Sequence, residues 1–155
     1  MGFELVPLQD AIVAQLQSVM PDTPFYEDGV WDDASLHRTP EGQLIPYIVP
    51  RFGSIRRRPL SYSIAGTRYD DYYSTVDVVC VAPMGRMARQ MLDLAADTLI
   101  GFKPDDATEM TVEGYPDNFV VLNNIGRPAA YAATVRFRFG VNANNVAEHM
   151  TPPTP

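Results

Sequence analysis

The 155-residue chain carries 12 Lys and Arg against 19 Asp and Glu, a formal charge of −7 at pH 7, with 46% hydrophobic and 20% charged residues. That is the composition of one folded domain able to bury its own core, not of a disordered chain, and its acidity weighs against a general nucleic-acid binder. The single cysteine, Cys80, excludes an internal disulfide or a multi-cysteine zinc site, and no apolar run reaches the ~18 residues of a membrane span.

The first ten residues hold Glu4 and no Lys or Arg, so they lack the basic start of a secretory signal, and folding in a cytoplasm is the expectation. Leu5, Leu8, Ile12, Leu16 and Val19 recur at helical spacing and predict one amphipathic helix from Pro7 to Met20. Pro7 suits a first turn and Pro21 ends the helix. Residues 21–43 show no sustained period. They are punctuated by Pro and Gly and made acidic by Glu27, Asp28, Asp32 and Asp33. Phe25, Tyr26, Val30 and Trp31 predict that part of this long connection packs on something. Leu44 to Phe52 reads as a strand that Pro46 and Pro50 confine to an edge. Gly53 to Ser74 reads as a long extended excursion, rich in Arg and Tyr.

Thr75 to Ala82 predicts a strand, buried on both faces at its middle. Met84 to Ile100 predicts a helix with Met87, Met91, Leu94, Ala95 and Leu99 inward, stopped by Gly101. Three strands follow: Glu109 to Glu113, Asn118 to Leu122 and Ala129 to Val141. The last alternates, with Tyr131, Ala133, Val135, Phe137, Phe139 and Val141 on one face. Ala132, Thr134, Arg136, Arg138 and Gly140 lie on the other, so Arg136 and Arg138 are expected on an open sheet face or a subunit contact. The fold class is α+β: a mainly antiparallel sheet with two helices on one face and a long extended β-excursion. Residues 1–142 form the single domain, and 143–155 are expected to be a flexible tail.

Few residues point to catalysis. Cys80 sits in the most apolar strand, where a thiol is inert core. No serine stands in a nucleophile elbow, no Gly-rich phosphate loop is present, and Asp33 with His37 is too sparse for a metal. No catalytic residue, metal or cofactor is assigned. The remaining candidates form an interface set: Arg51, Arg56, Arg57, Arg58, Tyr62, Arg68, Tyr69, Asp70, Asp71 and Tyr72, with Asp32 and Asp33 as acidic counterparts. Arg and Tyr are enriched at protein interfaces, and the overall −7 charge favours a protein contact over nucleic acid for the Arg56–Arg58 run.

Three stretches carry a resemblance: Ile64-Ala65-Gly66-Thr67-Arg68-Tyr69-Asp70-Asp71-Tyr72, Val76-Asp77-Val78-Val79-Cys80-Val81-Ala82-Pro83 and Leu99-Ile100-Gly101-Phe102-Lys103-Pro104-Asp105. Together they resemble the tail terminator proteins of long, non-contractile-tailed actinobacterial phages, over about residues 5–141. The order of elements is also similar to that of the phage lambda tail terminator. The resemblance implies a virion protein without enzymatic activity or cofactor, assembled in the host cytoplasm. It implies a homohexameric ring at the head-proximal end of the tail, capping the tail tube protein and joining the head–tail connector or neck. Double-stranded DNA would pass through the lumen without sequence-specific binding, and no membrane is involved. In such a ring each subunit needs two complementary surfaces. The basic 51–58 stretch and the acidic 27–33 stretch are the candidate pair. A head-closure or tail-completion protein is the nearest alternative. A small ligand-binding domain, using Met84, Met87 and Met91 to line a cleft, is a more distant one.

Overall fold

The computed structural model describes residues 5–30, 36–57, 72–104, 107–115, 119–121 and 130–141. The expectations for Asp32, Asp33, Arg58, Tyr62, Arg68, Tyr69, Asp70, Asp71 and the 143–155 tail fall outside these residues. In chain order the elements are α1 (Leu5–Val19), β1 (Tyr47–Phe52), β2 (Arg56–Arg57), β3 (Tyr72–Ala82), α2 (Gly85–Leu99), β4 (Thr111–Gly114), β5 (Phe119–Val121) and β6 (Ala130–Gly140). Among the described residues six strands form one sheet of order β1-β3-β6-β4, with β2 also on β3 and β5 also on β6. Every strand pair is antiparallel. The α+β class, with both helices against one face, is what the sequence predicts.

The long ladder between β3 and β6 is the spine, because both strands run for 11 residues in continuous register from Tyr73–Gly140 to Ala82–Tyr131. Alternation sends Val76, Val78, Cys80 and Ala82 of β3, and Ala133, Val135, Phe137 and Phe139 of β6, to the helix side. There they meet Leu8, Ile12 and Leu16 of α1 and Ala88, Leu92, Ala95, Ala96 and Leu99 of α2. Phe137, Phe139, Ile12, Leu16 and Leu99 are among the largest side chains fully removed from water.

Two positions correct the helical stripes. Val19 is 42% exposed and Leu94 is 41% exposed, while Val13, Ala88, Leu92 and Ala96 are buried. On α2 the inward stripe is mostly alanine, which lets the helix lie close to the sheet, and Met87 and Met91 pack half-buried at its flank. Gly101 ends α2 at a φ of 79°, a left-handed value that favours glycine. The excursion is shorter than expected, because Tyr72, Tyr73 and Ser74 already belong to β3 and Arg56–Arg57 pair with it.

The acidic connection does pack. Phe25 bridges to Ile48 in parallel, the Tyr26 and Asp28 amides donate to the carbonyls of Ile48 and Pro50, and the Ile48 amide donates to Pro24. Segment 24–28 therefore runs along the outer edge of β1. Ile48 and Pro50 share an outward backbone phase, so the missing N–H of Pro50 falls on the side away from β3. Asp28 sits at a φ of 63° and Gly29 at 141°, and the chain turns away there.

Candidate interaction face

The side of the sheet away from the helices divides in two. Toward one end Tyr47, Val49, Val79, Val81, Ala130 and Ala132 form a second buried cluster with Leu44, covered by Tyr26, Val30 and Leu36 from the long connection. Tyr26 meets Tyr47 edge-on at 5.4 Å and His37 at 6.5 Å. Burial is the main cause that pushes the Tyr47 phenol above its ordinary value. Ala132 and Thr134 are buried here, so the expectation that this side is open along the whole of β6 is corrected. The cover comes from an irregular segment that no periodicity locates.

Two residues further along each strand the character changes. Register sets Arg51 of β1 beside Asp77 of β3, and Asp77 beside Arg136 of β6. Arg136 donates through Nε and Nη2 to the two carboxylate oxygens of Asp77 at 2.6 and 2.9 Å, a side-on bidentate pair. That hydrogen bond, then the charge of Asp77 and more distantly of Glu113, raises the Arg136 guanidinium above its usual range. The next row holds Thr75 opposite Arg138 and Thr111 opposite Arg138 from the other side. Arg138 stands 5.6 Å from the centre of the Tyr73 ring, within cation–π reach. Arg56 is exposed and lies opposite Tyr73, so pairing sets it on this same side.

Of the residues expected at an interface, the open face thus gathers Arg51, Arg56, Arg136 and Arg138. Arg136 is exposed and Arg138 half-buried against Tyr73. Tyr72 is half-buried against the main core on the helix side, and Arg57 follows Arg56 in β2. The residue that the sequence argument missed is Asp77. Its signal was a lone acid in a β-branched run, but its partner is set only by register. Glu27 and Asp28 lie beside Pro50-Arg51-Phe52 within the same chain, and Asp28 Oδ1 is 3.5 Å from the Phe52 amide.

Chemistry of other kinds has little footing. Cys80 is fully buried and its thiol is pushed up to about 12 by desolvation, so it is neither nucleophile nor ligand at neutral pH. Among the described residues no three His, Cys, Asp or Glu side chains gather as a metal site. No helix among them is long and apolar enough to cross a membrane. An open hollow of about 350 Å³ beside Glu27, Asp28, Gly29 and Val30 offers two carboxylates from one turn and no described base or nucleophile beside them. Met84, from the proposed cleft set, is 53% exposed.

No family model matches the chain, and no curated protein matches it. Among solved structures, one is similar over 86% of this chain and 95% of its own, at 15% identity and a TM-score of 0.43. Likeness at that level carries no argument about what this chain does.

Proposed function

We propose that this chain is a structural subunit that assembles with copies of itself, and that its role is that of a phage tail terminator. One observation carries the assembly reading: a folded α+β domain leaves half of one sheet face open, lined by Arg51, Arg56, Arg136 and Arg138 with Tyr73 among them. Arginine and tyrosine on an exposed sheet face are the materials of protein contacts. A chain of net charge −7 that concentrates cations on one face is built to meet an acidic partner. The specific role is supported by the resemblance in the 64–72, 76–83 and 99–105 stretches. On that reading the subunit forms a ring that stops tail-tube growth, joins the neck and lets DNA through its lumen.

The test is electron microscopy of lysates from a phage lacking this gene. Overlong, headless tubes are the expected result. Tails of normal length beside unattached heads would move the chain to head closure or tail completion. Normal virions would overturn both.

A further inference from the structure

We infer that the open arginine face of one copy docks on the outward side of α2 of a second copy, around Asp93, Leu94 and Asp97. The inference deepens the assembly reading above and rests on it for the claim that copies associate.

The two surfaces lie on opposite sides of the domain, since α2 covers the helix side of the sheet and the arginines stand on the other. The last two turns of α2 present Asp93 and Asp97, opposite in charge to the arginine face, whereas Arg86 and Arg89 stand exposed in its first two turns. Arg51 and Arg138 have no ion-pair partner among the described residues, and Arg136 spends only two of its five N–H groups on Asp77. On α2, Asp93 and Asp97 are exposed, one turn apart, and likewise without an ion-pair partner among the described residues. Arg89, one turn before Asp93, is close enough in sequence to pair with it and does not. Leu94, the large side chain that α2 turns away from its own core, sits between the two acids. An isolated apolar residue needs no explanation, but one framed by two unpaired acids matches a face of cations interleaved with Tyr73 and the threonine methyls of Thr75 and Thr111.

Spacing agrees as well. Arg136 and Arg138, two residues apart on one strand face, are separated by about 7 Å along β6. Asp93 and Asp97 are separated by about 6 Å along the helix axis. Glu27 and Asp28 are exposed too, but they stand at the sheet edge beside Arg51 of their own chain, with Asp28 Oδ1 facing the Phe52 amide. A contact between two different surfaces is head-to-tail, and it closes into a ring when each step adds a fixed rotation.

The experiment mixes two full-length populations, Arg138→Cys and Asp97→Cys, and treats them with a short bismaleimide. Cys80 is buried and neutral, so it stays silent. Covalent dimers are expected in the mixture and not in either population alone. A control mixture of Arg138→Cys with Asp10→Cys, on the exposed side of α1, should give none. In parallel, sedimentation of Arg51→Glu/Arg138→Glu should show self-association weakened at least about tenfold, because like charges then face each other. Mixing that variant with Asp93→Arg/Asp97→Arg should restore it. Wild-type association should also weaken with added salt. Dimers no more abundant than in the control, or a chain that stays monomeric at every concentration, would overturn the inference. So would loss of binding to a duplex DNA probe in Arg51→Glu/Arg138→Glu with self-association unmoved, which would reassign the face to nucleic acid. A failed cross-link or an unmoved charge variant with self-association intact sinks this contact alone, whereas the tail-capping reading is tested by the microscopy of the gene-deleted phage.

Discussion

Cys80 and Gly53 show how single atoms set the limits of this domain. The native thiol keeps its proton to about pH 12, whereas an unfolded cysteine loses it near 9. The folded pKa is raised, so the stability tied to the neutral thiol is complete below pH 9 and is lost as pH rises from 9 toward 12. Tyr47, raised from 10.0, acts in the same direction. Urea melts across that range should show stability falling more steeply in the wild type than in Cys80→Ala, by up to about 1.4 kcal/mol per pH unit. Equal slopes would mean that Cys80 is not held neutral by burial. At Gly53 a Cβ would fall 2.6 Å from Thr75 Oγ1 and 3.3 Å from the Thr75 carbonyl oxygen. This glycine is held by close approach, where its amide donates to the Thr75 carbonyl at 2.8 Å and its own carbonyl accepts from the Ser74 hydroxyl. Gly53→Ala should cost about 1–3 kcal/mol by overpacking, and Gly53→Ala/Thr75→Ala should recover part of it. The exposed Asp77–Arg136 pair is a smaller matter. A double-mutant cycle to alanine should give a coupling of about 0.5–1 kcal/mol that shrinks in high salt.

At the scale of elements, α2 is the informative case. Counting large apolar side chains assigns Leu94 to the core, yet the helix turns Ala88, Leu92, Ala95, Ala96 and Leu99 inward. Alanine scores as neutral in such a count, although a small side chain is what permits close helix–sheet contact. The consequence is measurable. Leu94→Ala should change stability by less than about 0.5 kcal/mol. Leu99→Ala should cost about 2–5 kcal/mol. A Leu94→Ala variant as damaged as Leu99→Ala would contradict the orientation of the helix. The strands were more legible than the helices' rotation, because a period of two leaves only two choices of face. Val135, Phe137 and Phe139 share one face as alternation predicts, and the burial expected on both faces of mid-β3 is met by Val78 and Cys80 on one side and Val79 and Val81 on the other. The division of the opposite face was not legible. It depends on where the irregular 21–46 connection comes to rest, and Tyr26, Val30 and Leu36 carry no pattern that says so.

For the whole molecule, charge is distributed unevenly and composition alone hides this. A net −7 argues for an acidic protein, while the open half of the sheet presents a cluster of arginines. Sequence reasoning found Arg136 and Arg138 by alternation and Arg51 and Arg56 by their neighbourhood in the chain. It could not join them, because contact between β1, β3 and β6 is a matter of register across long loops. Of the acidic 27–33 stretch expected as counterpart, Glu27 and Asp28 are described, exposed beside β1, while Asp32 and Asp33 lie outside the described residues.

That lateral strap of residues 24–28 has a consequence for solubility. An exposed strand edge is a template on which other chains can polymerise without limit, and β1 would otherwise present Ile48, Pro50 and Phe52 backbone groups in a row. Pro24, Tyr26 and Asp28 occupy those positions, and at the centre of the row the proline ring of Pro50 stands where an outward amide would recruit a stranger. On this flank the sheet is finished. Loosening the strap with Tyr26→Pro, which removes the amide that bonds Ile48 and the ring over Tyr47, should make the protein form thioflavin-positive fibrils on storage, whereas Tyr26→Phe, which keeps both, should not.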